Sequence, residues 1–332
     1  MNDELLMLRE TLDDALAAAH PPSTWEPPED GALAEATWAT AVQLGWDQAG
    51  LPEALGGFGD SVAPLVQLAY AIGRHRMPIP LVEAALGRWA IAAAGLPAPA
   101  DGAVVTVAIG TLERVPWGRH ADVVVLARED GAIAVGAPRR SAEHTNLAGE
   151  ARDTIMLDGG EGEVRGGLAA QLRDRAVLLR AAQMLGAAEQ ALAATREHTA
   201  ARRQFGRPLD RFQLVGAHIA EMAAQAALID AMLADATRAH DAGDAAQRAT
   251  ATAALKLAAG HAATVIARSA HQCHGAIGVT REYRLHQFTR RLWAWREELG
   301  AERRHARALG TTALAATPAA LWAATEPEAH AA

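Results

Sequence analysis

Apolar residues open the chain at helical spacing. Leu5, Leu8, Leu12 and Leu16 share one face of residues 3–19, with Asp3 and Glu4 in the first turn, where negative charge suits the helix dipole. The stretch HPPSTWEPPED ends that helix, because proline disfavours helix at its own position and at the one before. Further helices are expected over 31–44, 62–73 and 81–94, separated by the glycine-rich turn GLPEALGGFGD and by RHRMPIP. After LPAPADG the period changes. VVTVAI, ADVVVLA and AIAV are short β-branched runs, and Asp130-Gly131 suits a hairpin turn. This strand-rich stretch is expected to end near Asp158, before the glycine-rich linker GGEGEVRGG.

Helical spacing then returns in four long elements, expected over 168–202, 210–240, from DAGD to 274, and 281–309. FGRP breaks the first from the second, and HGAIGVT the third from the fourth. Asp210 with Gln213, and Asp244 with Gln247, have the spacing of capping boxes. Four long helices with short connections predict an up-down bundle. The expected organisation is mainly α with a small β domain: an N-terminal helical domain over 1–98, the β domain over 99–167, a four-helix bundle over 168–316 and a frayed tail over 317–332.

Composition supports helix. Half of the 332 residues are hydrophobic but only 4% are aromatic; alanine, the best helix former, makes up most of the difference. The net charge of −8 gives no electrostatic reason to bind nucleic acid or an anionic membrane, so an anionic ligand must be met by local arginines. The one cysteine, Cys273, excludes an internal disulfide framework and fits a reducing cytoplasm. No apolar run is long enough to span a bilayer, and the acidic N-terminus lacks the basic region of a secretory signal. A cytoplasmic protein is expected.

Three segments carry a family resemblance. Residues 44–80, LGWDQAGLPEALGGFGDSVAPLVQLAYAIGRHRMPIP, contain Gly-Trp, Pro-Glu, Gly-Gly-x-Gly, Gly-Arg and Pro in order. Residues 196–223, REHTAARRQFGRPLDRFQLVGAHIAEMA, contain Arg-x-x-Phe-Gly-x-Pro, Phe-Gln and Ala-Glu-Met. Residues 272–291, QCHGAIGVTREYRLHQFTRR, are similar to a Gln-x-x-Gly-Gly-x-Gly stretch followed by Glu-Tyr and Arg. Together they cover about a quarter of the chain, and they resemble the acyl-CoA dehydrogenase family in its own order. The resemblance implies α,β-dehydrogenation of an acyl-CoA thioester, with a carboxylate base at the α-carbon and FAD at the β-carbon. It also implies that the adenine and pyrophosphate end of FAD crosses a subunit interface. The receiving groups would be Arg202, Phe205, Gln213, Gln272, Gly275 and Gly278, with Ala276 where the family has a second glycine. Their chemistry agrees: arginine forks onto phosphate oxygens, and glycine lets backbone approach a flat ligand.

The resemblance fails at the base. Its two family positions fall on Leu299 and Ala176, and the arginine usual after the second is Val177. The β domain is short for the family and lacks its Thr-Glu-Pro, Gly-Ser-Asp and Trp patterns; Trp117-Gly118 is the nearest feature. The implied role is a non-catalytic subunit that gives an FAD half-site to a catalytic acyl-CoA dehydrogenase partner, with acyl-CoA in the partner's site. Such a chain is expected as a homodimer alone and as a heterotetramer with the partner. Two alternatives stay open: a self-sufficient enzyme with a displaced base, Glu297 or Glu298, and a flavin-free interaction protein on the same fold.

Plainer readings stand beside the site residues. Arg202 fits a solvated helix end, Gln213 fits the capping partner of Asp210, and Gly275 and Gly278 fit turn glycines. His261, His271, Cys273, His274 and His286 match no zinc spacing, so no metal is expected. Trp293 and Trp295, two apart on a helix, should face different directions. Asp174 reads equally as a residue near a CoA chain or as solvent-facing, and Glu53 and Glu83 read as surface charges.

Overall fold

The computed structural model describes residues 3–19, 30–164 and 167–323. The proline-rich stretch expected to end the first helix falls almost wholly outside them, as does the end of the tail. Four helices come first: α1 (Asp3–Ala19), α2 (Glu35–Gln43), α3 (Ala63–His75) and α4 (Leu81–Ala93). Five strands follow: β1 (Val105–Ile109), β2 (Val115–Pro116), β3 (Val123–Ala127), β4 (Ile133–Ala142) and β5 (Arg152–Val164), in the spatial order β1-β3-β4-β5-β2. Only β1 and β3 run parallel. Then come α5 (Leu168–Ala201), the small strands β6 (Arg203–Gln204) and β7 (Arg207–Pro208), α6 (Gln213–Ala242), α7 (Ala245–His274), α8 (Leu285–Glu297), α9 (Glu302–Ala315) and α10 (Pro318–Ala323). The fold is therefore mainly helical with one small sheet domain.

The structure revises four sequence expectations. The last strand does not stop near Asp158; the glycine-rich segment continues it, because Glu161 and Val164 pair with Val135 and Ile133 of β4. The fourth bundle helix is not continuous. It divides into α8 and α9 at a turn where Leu299 has φ 60° and Gly300 φ 100°, a left-handed conformation that no helix can include. Asp210 does not cap α6. It lies in a short 3-10 turn, Leu209–Arg211, and Phe212 precedes the helix without a side-chain cap. The tail begins with a short helix at Pro318. By contrast Asp244 does cap α7, its Oδ1 accepting the Gln247 N–H at 2.7 Å. The hairpin at Asp130-Gly131 also forms, with the Asp130 carboxylate accepting the Ala132 N–H.

One core cluster runs through the helices and onto the inner side of the sheet. Leu12 and Leu16 of α1 are fully buried against it, as the spacing of the first helix requires. α3 crosses α5 at backbone contact distance. A Cβ on Gly73 would stand 2.1 Å from the Gln183 carbonyl oxygen, and one on Gly186 would stand 2.2 Å from that of Tyr70. The two glycines thus join the N-terminal helices to the first bundle helix.

Gly186→Ala should therefore destabilise the purified chain. The clash costs about 1–3 kcal/mol, against which alanine's better helix propensity returns about 1 kcal/mol. Gly310→Ala in α9, where an added Cβ meets nothing within 4 Å, should be neutral or stabilising by up to about 1 kcal/mol. Thermal melts of the two variants check the contrast; equal melting temperatures would exclude a backbone-limited crossing.

Candidate functional site

Two regions bear on function. The first is one end of the bundle. The C-termini of α5 and α7 lie together there, joined by stacked His198 and His274 (ring centroids 4.4 Å apart), with Tyr283 edge-on to His198. All six residues singled out for cofactor contact fall at or just beyond the ends of these helices or at the start of α6. After α5 the chain makes a tight hairpin in which Phe205 (φ 50°) and Gly206 (φ 82°) both take left-handed conformations, the geometry of a type I′ turn. Phenylalanine at such a position is 89% exposed, at the tip of the hairpin. Its one ring neighbour among the described residues is Phe212, which also carries the Arg207 guanidinium 4.1 Å above its face.

Arg202 ends α5. Its N–H donates to the His198 carbonyl, and its side chain is exposed with no hydrogen bond or ion pair among the described residues. Gln213 is the first residue of α6, not one turn inside it, and is also exposed. The uncapped N–H groups of that first turn remain available. Gln272 and Gly275 are exposed at the end of α7. Gly278 is buried, and a Cβ there would press on His274 and His271. His271 in turn stacks on Trp293 and bonds Thr289. No group of three or more metal-ligating side chains occurs among the described residues.

The second region lies between sheet and bundle. A cavity of about 520 Å³ opens there, walled by Val107, Ile109 and Val115 of the sheet side and by Trp293 and the turn Glu297–Gly300. Leu299, at one family base position, lines it. Ala176, at the other, is half-buried against the core and carries no titratable group.

Glu298 lies in a buried ion cluster that sequence reasoning missed. Arg152 holds it in a fork, Nε donating to Oε1 at 2.8 Å and Nη2 to Oε2 at 3.1 Å. Arg180 stands 3.2 Å away, and the Asn146 amide donates at 3.0 Å. Glu150 extends the cluster: it pairs with Arg152 and Arg291 and accepts the Trp295 indole N–H at 2.8 Å. Glu83 is no surface charge; it is buried and pairs with Arg180 at 3.3 Å. Burial alone would raise the Glu298 carboxyl, but Arg152 and Arg180 outweigh it and hold it down at about 2. Burial likewise opposes ionisation of Glu150, yet Arg152 and Arg291 keep its carboxyl below the usual range. Buried Lys256 completes the turn by donating to the Trp295 and Arg296 carbonyls at 3.1 and 2.7 Å, which caps α8 with a cation. Burial pushes its ammonium down to about 8.

A general base near neutral pH cannot be a carboxylate held at about 2 between two guanidiniums. Glu297 is different: it is exposed, lines the cavity and stands 3.6 Å from Arg296. Asp174 is largely covered and pairs with Arg248 at 3.1 Å, so it is not a freely solvent-facing residue. Glu53 is exposed. Trp295 is buried while Trp293 is partly exposed, so the two do face different ways. The signal for the cluster was present in sequence as arginines set in or against apolar runs, Arg180 alone within VLLRAAQML and Arg291 as the second of a pair heading RRLWAW. Nothing local said which carboxylates they meet. No described helix is long and apolar enough to cross a membrane.

With this geometry described, comparison with known proteins is informative. The family model for the acyl-CoA dehydrogenase N-terminal domain matches residues 2–100, and that for the C-terminal domain matches residues 173–314. The chain is 30% identical over 306 residues to acyl-CoA dehydrogenase IpdE2 of Mycobacterium tuberculosis, across 87% of this chain and 91% of the relative. It is 27% identical over 331 residues to IpdE2 of Mycolicibacterium smegmatis, across 93% and 98%. Among solved structures, the Tcur3481-Tcur3483 steroid ACAD superposes with a TM-score of 0.84 at 22% identity, over 94% of this chain and 98% of that one. The ChsE4-ChsE5 complex from Mycobacterium tuberculosis gives 0.84 at 20% identity, over 96% and 99%.

The acid response of the ion cluster is testable. Glu298 has a lower pKa folded than unfolded, so the unfolded chain binds more protons between about pH 4.5 and 2. Its stabilisation is full above that window and is lost as pH falls through it. Glu298→Gln should cost about 1.5–3 kcal/mol at pH 7, because Arg152 and Arg180 lose a shared carboxylate while Glu150 and Glu83 still face them. It should also flatten the fall of melting temperature between pH 4.5 and 2. Melting curves of both proteins from pH 2 to 7 decide the matter; parallel curves would exclude a stabilising Glu298.

Proposed function

The chain belongs to the acyl-CoA dehydrogenase family, and from that premise we propose that it is the non-catalytic subunit of a heteromeric acyl-CoA dehydrogenase. In this reading it gives the pyrophosphate and adenine half-site of FAD to a catalytic partner, which holds the acyl-CoA. The observation that carries the proposal is the absence of a usable base at the expected places. Leu299 and Ala176 stand at the family positions, and Glu298 is committed to Arg152 and Arg180. The steroid ACAD and the ChsE4-ChsE5 complex, both two-chain assemblies by name, support a two-chain arrangement for this chain as well. We propose a heterotetramer in the cytoplasm, with a homodimer when the chain is alone.

The exposed end of the bundle fits FAD in its donor set. Arg202 offers a guanidinium with no hydrogen bond or ion pair among the described residues, the first turn of α6 offers N–H groups without a side-chain cap, and Phe205 offers an exposed ring. Gln213 and Gln272 add neutral donors and exposed Gly275 adds close backbone approach, while buried Gly278 serves by letting the loop pack on His274. FAD, when bound, supplies the hydride acceptor for α,β-dehydrogenation. The part of this chain is to bind and orient the distal end of the cofactor; proton removal falls to the partner.

The isolated chain should show no measurable dehydrogenation of any acyl-CoA, since loss of a positioned base alone removes about 10²–10⁴ in rate. A yellow, active isolated chain would sink the subunit reading. If Glu297→Gln abolished that activity, it would move the base to this chain.

In the complex, Arg202→Ala should weaken FAD binding roughly ten- to a hundredfold, the equivalent of one charge-assisted hydrogen bond of about 1.5–3 kcal/mol. Gln272→Ala should weaken it less, since a neutral bond nets about 0.5–1.5 kcal/mol. Flavin-to-protein ratios of the purified complexes provide the measure. Unchanged FAD retention in the Arg202 variant would overturn the half-site, and a complex that never takes up flavin would favour an interaction protein.

A further inference from the structure

The ion cluster borders a second, much smaller cavity, where the N-terminal helices, the sheet side and the bundle meet. It leaves about 10 Å³ for the centre of one water-sized particle. Ile72, Met77 and Ile79 form its apolar side, and Leu299 takes no part in it. Four arginines line it: Arg76, Arg152, Arg180 and Arg291, none more than 6% exposed.

The buried charges here do not balance. Glu83, Glu150 and Glu298 are shared among three of the four arginines. Arg180 faces Glu83 and Glu298, Arg152 faces Glu150 and Glu298, and Arg291 faces Glu150. Arg76 brings a fourth positive charge to three negative ones. Its guanidinium donates to the neutral Gln287 side chain and lies 5.6 Å from the Phe288 ring. Burial, Arg291 and Arg284 hold it down at about 9, so it stays charged at neutral pH among like charges. Its backbone is strained as well: Arg76 closes α3 at φ 56°, a left-handed position that favours glycine. A separate observation points the same way. The Nε of Arg180 is buried and has no hydrogen-bond partner among the described residues.

One surplus positive charge and room for one small particle select the ligand. A phosphate or carboxylate is too large for the space, and a water molecule leaves the charge uncompensated. We propose that this cavity is a binding site for one small monovalent anion, chloride, held by Arg76 and Arg180. The ion is a structural ligand that completes the charge balance where the three regions join. The proposal depends neither on the half-site reading nor on the larger cavity.

Thermal melts of the purified full-length chain at pH 7 test it, in sodium chloride and in sodium gluconate at equal ionic strength. Each tenfold rise in chloride above its Kd should raise the melting temperature by about 2 °C. Gluconate, too large for the cavity, should give no such slope. Arg76→Gln should remove the chloride slope. Arg202→Ala should keep it, so that this proposal and the FAD half-site fail separately. Crystals of the wild-type chain grown in sodium bromide should show an anomalous peak beside Arg76, a readout that does not require the variant to fold. Equal slopes in chloride and gluconate, a full chloride slope in folded Arg76→Gln, or a cavity holding water with no bromide peak would each overturn the site.

Discussion

Arg152 begins the last strand of the sheet, Glu298 ends the last long turn of the bundle core, and they meet as a two-point ion pair 146 residues apart in sequence. Around this pair Arg180 brings in α5, Glu83 brings in α4, and Glu150 with Arg291 and Trp295 brings in α8. Each charge would be expensive to bury alone, and the cluster persists because the partners satisfy one another. Three regions that share little else besides the apolar core are thereby fixed in one arrangement. Lys256, capping the carbonyls that precede Glu298, holds the turn in place from the bundle side.

That arrangement has a chemical consequence. A carboxylate pulled down to about 2 by two guanidiniums is a strong structural anion and a weak proton acceptor. The side chain nearest the family base position is therefore occupied in holding the domains together, and the turn presents Leu299 to the cavity instead. The opposite situation holds at the bundle end. Arg202, Phe205 and Gln213 are exposed, and at the hairpin tip Phe205 is edge-on to Phe212. Glu298 and Arg152 thus meet their partners within the chain, whereas the Arg202 side chain has no hydrogen bond or ion pair among the described residues.

Spacing in the sequence determined most of the helices, the β-branched strands, the hairpin at Asp130-Gly131 and the Asp244 cap, because each depends on residues within a few positions of one another. Motif order likewise carried the family resemblance, and counting along it put Leu299 and Ala176, neither of them titratable, where the resemblance implies a base. Tertiary structure decided the rest. Pairing with β4 turned a glycine-rich linker into the end of β5, and a 3-10 turn separated Asp210 from the helix it was spaced to cap. A left-handed Leu299-Gly300 broke an otherwise continuous helical period. Glu83 and Glu298, which look like any exposed glutamates in the sequence, became buried and largely covered respectively, because arginines 97 and 146 residues away stand opposite them. Local patterns record the period of a segment and the chemistry of its side chains. Which charge meets which is set by chain segments that come together only when the core packs, and no window of sequence contains that information.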